Sequence, residues 1–431
     1  MKKLNLLSIL LMLFMCAGFA ACEDDEKGEN ETTPPGNNDI VETPDDDTSN
    51  PGEYFETTAE LFLEYFNAND QKAVLTLLDD FIQEYGDYDI EIEENRSSAK
   101  PLYAYVKKTH KAINTGNYSR ASSSDVWKFA DFTGIYEPND RTWCWERTGN
   151  SDALIFKFSH RGASCEFKIS ASSDKYTIDI DSYESVEVPK TITTTLTEGN
   201  TTHLKSVFKS NYSSTGHTMS ANLNLAIANL VFVSNIEGND SKLSVSQSFT
   251  VGDKTLSTAS ATINGHNLCN RSAIENAIED DDERALDNFF SDASGESDVL
   301  GRVQVKAEVN SLYAIVKAIN DRDDAYEYYS NHDDEEQIEK KYAKAMNEAI
   351  KGSFYFARKN QKQGDVLFKA ICEEDTWGGY TDTYWETYMV LQFNDGSNYT
   401  FEEYFGNGNF YSTESLFTNL IDSYKNILGI D

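Results

Sequence analysis

Between Trp127 and Ile263 apolar side chains recur at every second position, and this period of two constrains the chain more than any other feature. Leu154, Phe156 and Phe158 alternate with Ile155 and Lys157, Cys165, Phe167 and Ile169 with Glu166 and Lys168, and Tyr176, Ile178 and Ile180 with Thr177 and Asp179. Further alternations run over 192–196, 219–227, 230–232, 243–251 and 256–263. Successive strand residues face opposite sides, so the pattern predicts antiparallel strands with one buried and one wet face. Glu198-Gly199-Asn200, Glu237-Gly238-Asn239-Asp240 and Gly252-Asp253-Lys254 separate the runs at hairpin spacing. Beyond residue 53 the prolines are Pro101, Pro138 and Pro189, which suits continuously bonded strands. Thr191, Thr193, Thr195, Thr197 and Ser244, Ser246, Ser248 make the wet side rich in short hydroxyls, which predicts a flat exposed surface.

Helical periods flank this block. Leu61, Phe62, Tyr65, Phe66, Val74, Leu77, Leu78, Phe81 and Ile82 recur at three- and four-residue steps until Gly86, and Pro101 opens a second run through Leu102, Tyr105, Val106 and Ile113. The last third mixes both periods: helices are expected at 272–290, 311–320 and 334–350, and strands at 303–309, 354–357, 366–372, 388–393 and 399–401. A closing helix carries Leu416, Phe417, Leu420, Ile421, Tyr424 and Ile427 and stops at Gly429. The expected class is α+β, a large antiparallel sheet packed with helices from the N-terminal and C-terminal regions. The divisions are a signal peptide at 1–21, an acidic tether at 22–53, a helical subdomain at 54–125, an antiparallel β region at 126–270, and a mixed α+β region at 271–431 continuous with the preceding sheet.

Charge narrows the partners. The 431 residues carry 37 Lys+Arg against 73 Asp+Glu, a formal −36. Such a field excludes attraction to nucleic acid or to an anionic bilayer. At the N-terminus, Lys2 and Lys3 precede a charge-free stretch from Leu4 to Phe19, and Ala20-Ala21-Cys22 closes it. The small-small-Cys ending resembles a bacterial lipobox, with Phe19 where Leu is more usual. The resemblance implies a diacylglyceryl group on Cys22 and acyl chains that hold the protein on a membrane, at about 0.8 kcal/mol per buried CH₂. From Cys22 to Glu53 there are twelve acids and one lysine, a net −11. Glu23-Asp24-Asp25-Glu26, directly behind the cysteine, is similar to the export signal that sends lipoproteins of Bacteroidota to the outer face of the outer membrane. The expected location is therefore the outer membrane, displayed at the cell surface, with the periplasmic face as alternative. Val188 to Leu196, Asn394 to Tyr399 and Leu420 to Tyr424 resemble lipoproteins common in gut Bacteroidota, a likeness that implies no activity. At fold level, a long amphipathic sheet backed by helices is similar to lipid-carrying lipoproteins of the LolA and LppX kind.

No catalytic, cofactor or metal motif stands out. His110, His160, His203, His217, His266 and His332 are scattered singly, and they are expected as solvent-facing turn residues. Cys144, Cys165, Cys269 and Cys372 allow two disulfides or four free thiols, with Cys165 and Cys372 on strand core faces. Acidic runs at 279–283 and 321–324 lack calcium-loop spacing and read as solvated helix ends. The most suggestive stretch is Asp375 to Glu386, where Trp377, Tyr380, Tyr384 and Trp385 share a Gly-containing connection between two strands. Exposed, these rings would form a platform for a sugar face or a partner protein; tucked in, they would plug the sheet end. The functional expectation is a non-enzymatic surface lipoprotein binding a glycan or envelope protein through these four residues. A lipid or other hydrophobic ligand between sheet and helices is the first alternative, and a hydrolase using two carboxylates the second.

Overall fold

The structure, a computed structural model, describes residues 51–91, 102–115, 125–180, 184–213, 217–270, 289–327, 332–357, 360–377, 380–406 and 410–429. Cys22, the acidic residues Glu23, Asp24, Asp25 and Glu26, the tether up to residue 50, the acidic run 279–283 and the helix expected from Ser272 onward lie outside the described residues.

In chain order the elements begin with α1 (Pro51–Glu64), α2 (Ala68–Tyr85), β1 (Asp89–Glu91), α3 (Leu102–Thr115) and β2 (Asp125–Trp127). A run of strands follows: β3 (Gly134–Asn139), β4 (Cys144–Gly149), β5 (Leu154–His160), β6 (Ala163–Ala171), β7 (Lys175–Asp179), β8 (Glu184–Pro189), β9 (Thr191–Glu198) and β10 (Thr201–Ser213). Then come β11 (Thr218–Ile227), β12 (Leu230–Asn239), β13 (Lys242–Val251), β14 (Lys254–Gly265), β15 (Phe290–Val299) and β16 (Val303–Val309). The chain finishes with α4 (Leu312–Glu327), α5 (His332–Ala349), β17 (Ile350–Phe356), β18 (Gln361–Trp377), β19 (Tyr380–Phe393), β20 (Asn398–Thr400), α6 (Phe401–Gly406) and α7 (Tyr411–Leu428). This is an α+β protein dominated by a large, mostly antiparallel sheet. Among the described residues no helix is long and apolar enough to cross a membrane.

The chain divides into two compact units. One contains Tyr65–Ser294, Asn310–Tyr313 and Thr418–Asp431; the other contains Met1–Glu64, Gly295–Val309 and Ala314–Phe417. In the first, Asn67 starts α2 by accepting the Asn69 N–H at 3.1 Å, and Ala68, Gln71, Val74, Leu77 and Tyr85 form its buried stripe. Leu77 and Tyr85 pack on Tyr136, Trp145, Leu154, Phe156, Phe158, Cys165 and Leu196, the inward residues of β3 to β6 and β9. Full burial of each large apolar side chain contributes roughly 1.5–3 kcal/mol. Here β3 pairs in parallel with β5 and antiparallel with β4, while β5, β6, β9 and β10 continue antiparallel. A separate three-stranded sheet of β2, β8 and β7 packs with Tyr105 of α3, whose hydroxyl donates to Glu187 O at 2.9 Å.

From β10 to β14 each strand pairs antiparallel with the next. Gly199 and Gly252 turn the β9–β10 and β13–β14 hairpins at φ of 56° and 62°, where a side chain would strain the backbone. Register aligns Thr191, Lys209, Asn222, Asn235, Ser246 and Ser260 across six strands, so the Thr and Ser runs share one face. The opposite face carries Leu225, Phe232 and Phe249 in one row, each only partly buried.

In the second unit, α1 presents Tyr54 and Phe55 to Val303, Phe354 and Phe356. Arg302 is buried with its guanidinium 4.4 Å from the centre of the Tyr54 ring, and its Nε donates to Thr58 Oγ1 at 3.0 Å. β16, β17, β18, β19 and β20 pair antiparallel in sequence order. Asn347 of α5 clips that helix to β18, its side chain bonding both the N–H and the C=O of Phe368 at 2.7 Å.

Candidate functional site

Among the described residues, the ribbon of one unit and a polar cluster of the other each bring chemistry-bearing residues together. The first is the far half of β18 and β19. The sequence reading expects a connection over 375–386; instead the strands run on until Trp377 pairs with Tyr380. The Tyr-, Trp- and Thr-rich sequence has strong strand preference, and Gly378-Gly379 is a two-residue hairpin signature. β17 pairs with β18 only as far as Val366, and β20 with β19 only at 390–392. Among the described residues, positions 372–377 and 380–385 therefore pair only with one another, as a two-stranded ribbon.

Pleating sorts the four aromatics. Positions 377 and 380 are directly opposed, so 377, 380 and 384 fall on one face and 385 on the other. Tyr384 is 37% exposed. On its face Tyr388 donates to Glu386 at 2.9 Å, and burial, reinforced by that carboxylate, pushes the phenol well above its ordinary range. Trp385 is half-buried, with Lys340 Nζ of α5 5.0 Å from its ring centre. The single platform of four rings thus resolves into three positions on one side and one ring packed beneath a helix. Cys372, opposite Trp385, is exposed rather than on a core face, because no third strand reaches that height. Beside the ribbon an open groove of about 450 Å³ runs between α5 and β18, lined by Lys344, Asn347, Phe368 and Ala370 among others.

The second place is a polar cluster inside the first unit. His160 ends β5 on the same parity as Leu154, Phe156 and Phe158, and only 9% of it is exposed. Its Nε2 lies 2.8 Å from Asp80 Oδ2 of α2, and its Nδ1 lies 2.7 Å from Glu198 Oε1 at the end of β9. The other Glu198 oxygen sits 3.2 Å from His203 Nε2. His203 is the extra residue of a bulge, since register on β9 jumps between Thr202 and Leu204. The bulge turns its imidazole to the buried side. Cys165 stands opposite Glu198 in the β6–β9 ladder, and its thiol lies with His160 and Glu198 donor atoms within 4.8 Å of one another.

The two contacts hold the His160 ring between the carboxylates of α2 and β9. The hydrogen bond from His160, with further pull from Arg161, holds the Asp80 carboxyl below its ordinary range. His160 and then His203 do the same for Glu198, against the opposing effect of burial. Burial pushes the Cys165 thiol up, so the protonated form is favoured and nucleophilic attack is not. Two histidines expected as solvent-facing turn residues are therefore buried and in contact with carboxylates. The strand parity of His160 was the available signal; the bulge that places His203 leaves none in the sequence.

The remaining candidates scatter. His217 bonds Asp240 at 2.5 Å, and His266 is exposed. Cys144, Cys165, Cys269 and Cys372 are all free thiols. Asp321, from the acidic run 321–324, pairs with Lys317 at 2.6 Å within α4. The neighbouring Arg322 bonds Glu339 at 2.6 Å. Set against known protein families, curated proteins and solved structures, the chain matches none.

Proposed function

We propose that the protein is a non-enzymatic lipoprotein of the outer membrane, anchored through Cys22 and displayed at the cell surface, whose β18–β19 ribbon binds an extracellular glycan. The observation that carries the reading is the ribbon itself. A two-stranded hairpin is marginally stable alone, and an exposed tyrosine on it loses apolar surface to water unless something covers it. Tyr384 shares its face with Asp382 and Glu386, an aromatic ring beside hydroxyl-binding carboxylates, which is the chemistry that holds a pyranose. Helices from both ends of the chain serve as backing: α2 and α3 in one unit, α1 and α5 in the other.

The test is retention on a glycan array and on outer-membrane extract. The triple variant Trp377→Ala, Tyr380→Ala, Tyr384→Ala is expected to lose binding, and Trp385→Ala to keep it. Equal retention by the triple variant and the wild type removes the ribbon as the site. Retention on extract alone identifies the ligand as an envelope protein rather than a glycan. Protease added to intact cells must digest the body before the outer membrane is permeabilised; a body that survives places it on the periplasmic face.

A second reading, a hydrophobic ligand, draws on the apolar face of β10–β14, where Leu225, Phe232 and Phe249 are only partly buried. It requires lipid adducts in native mass spectra of the purified chain, and spectra without them discard it.

A further inference from the structure

The polar cluster of the first unit holds three different metal-ligating atom types in one buried place. We propose that His160 Nδ1, Cys165 Sγ and a Glu198 oxygen bind one divalent transition ion of the zinc class, with Asp80 as the outer partner of His160.

Geometry supports the assignment first. Tetrahedral zinc with its usual bond lengths sets ligand atoms roughly 3.3–3.6 Å apart. The donor atoms here lie within 4.8 Å of one another, so small side-chain rotations close the site. The His160 and Glu198 atoms, 2.7 Å apart, open slightly as the ion enters between them. The backbone already fixes the approach, because Cys165 pairs with Glu198 on one side and with Phe158, two residues before His160, on the other.

Surroundings support it second. A metal-bound imidazole usually donates its other N–H to a carboxylate, which sets the tautomer and strengthens the ligand. Asp80 stands at that nitrogen at 2.8 Å, itself held by Arg161 at 3.1 Å. His203 binds the second Glu198 oxygen and so orients the ligating carboxylate. Glu198 is the least buried of the three ligands, its side chain 25% exposed, and gives the ion a route in and an exchangeable fourth position.

The donor set selects the ion. One nitrogen, one thiolate sulfur and one carboxylate oxygen suit zinc and its neighbours; calcium and magnesium take oxygen ligands alone. Charge balances: the ion's two positive charges meet the Glu198 carboxylate and the Cys165 thiolate, whose proton passes to solvent, and nothing is oxidised or reduced.

The experiment is titration of the full-length chain with Co²⁺ under a non-chelating reductant, followed by displacement with Zn²⁺. One equivalent should give a thiolate-to-cobalt charge-transfer band with tetrahedral d–d absorption, and zinc should erase both. Calorimetry in buffers of different ionisation enthalpy should report proton release on binding, from the Cys165 thiol. Cys165→Ser should abolish the charge-transfer band, and Asp80→Asn should weaken binding about 10–100-fold. Glu198→Gln keeps an acceptor beside His160 and so preserves the fold; its affinity should fall at least tenfold with the far-UV spectrum unchanged. A chain that takes up no stoichiometric cobalt, a band that Cys165→Ser leaves intact, or full affinity in Glu198→Gln overturns the assignment.

Discussion

The β5–β6–β9 region and the β18–β19 ribbon invert the usual partition of side chains in opposite directions. In the first, His160, His203 and Glu198 are drawn into a sheet face built of Leu, Phe and Trp. In the second, tyrosine and acidic side chains stand on strands that pair with nothing but each other. Burying charge costs free energy unless every group is partnered, and exposing rings forgoes the gain of burial. Each departure marks a place where stability alone does not explain the residue. The polar cluster answers the cost with a closed set of partners, which rigidifies it. The ribbon leaves Tyr384 exposed, while Trp385 is covered by Lys340 of α5.

The comparison breaks most visibly in stability. Trp145 meets Phe81, Tyr85, Tyr88 and Phe156 within ring-contact distance, so Trp145→Ala should cost about 3–5 kcal/mol. Tyr384→Ala should stay within about 0.5 kcal/mol by the same denaturation measurement. A comparable loss from both would make the ribbon rings structural and end the contrast.

Acid titration sharpens it next. Asp80 and Glu198 are both held low when folded, so their contribution is present at neutral pH and fades as pH falls through the carboxylate range. The double variant Asp80→Asn, Glu198→Gln should flatten the acid limb of stability between roughly pH 5 and pH 2. An unchanged limb would mean that other acids set it. The smallest effect belongs to the covered side of the ribbon. Lys340→Met should loosen Trp385 by about 0.5–1 kcal/mol, read as faster hydrogen exchange at the β18–β19 amides opposite α5. No change there would leave Trp385 held by contacts other than the cation.

Much of the fold was legible because the physics is local. The alternations at 154–158 and 303–309 become β5 and β16, and the helical spacing before Gly429 becomes α7. Non-local effects were not legible. The helical run before Gly86 breaks at Asn67, whose side chain caps α2, although the apolar spacing continues across it. Trp385 looked like part of a set with Tyr384 because adjacency in sequence hides that neighbours on a strand face opposite ways. Trp377 joins the face of Tyr380 only because the turn is two residues long. His160 could have been found by extending the Leu154–Phe158 alternation one more step. Glu198 follows the buried Leu196 in the same way, but that His160 meets both Glu198 and Asp80 of α2 depends on packing across sequence separations of 38 and 80 residues.

The hairpins of β9 to β14 carry a consequence for the order of assembly. β9–β10, β11–β12, β12–β13 and β13–β14 are each joined by two residues. Every such strand finds its partner in the segment just made, so loop closure is cheap and the ladder can zip in the direction of synthesis. The buried cluster has no such shortcut, because Asp80, His160 and Glu198 come from distant stretches that must all be in place. The β9–β14 ladder is thus expected to form early and the His160 clasp to fasten late, which leaves Cys165 accessible longest during folding, when an ion or an oxidant would first reach it.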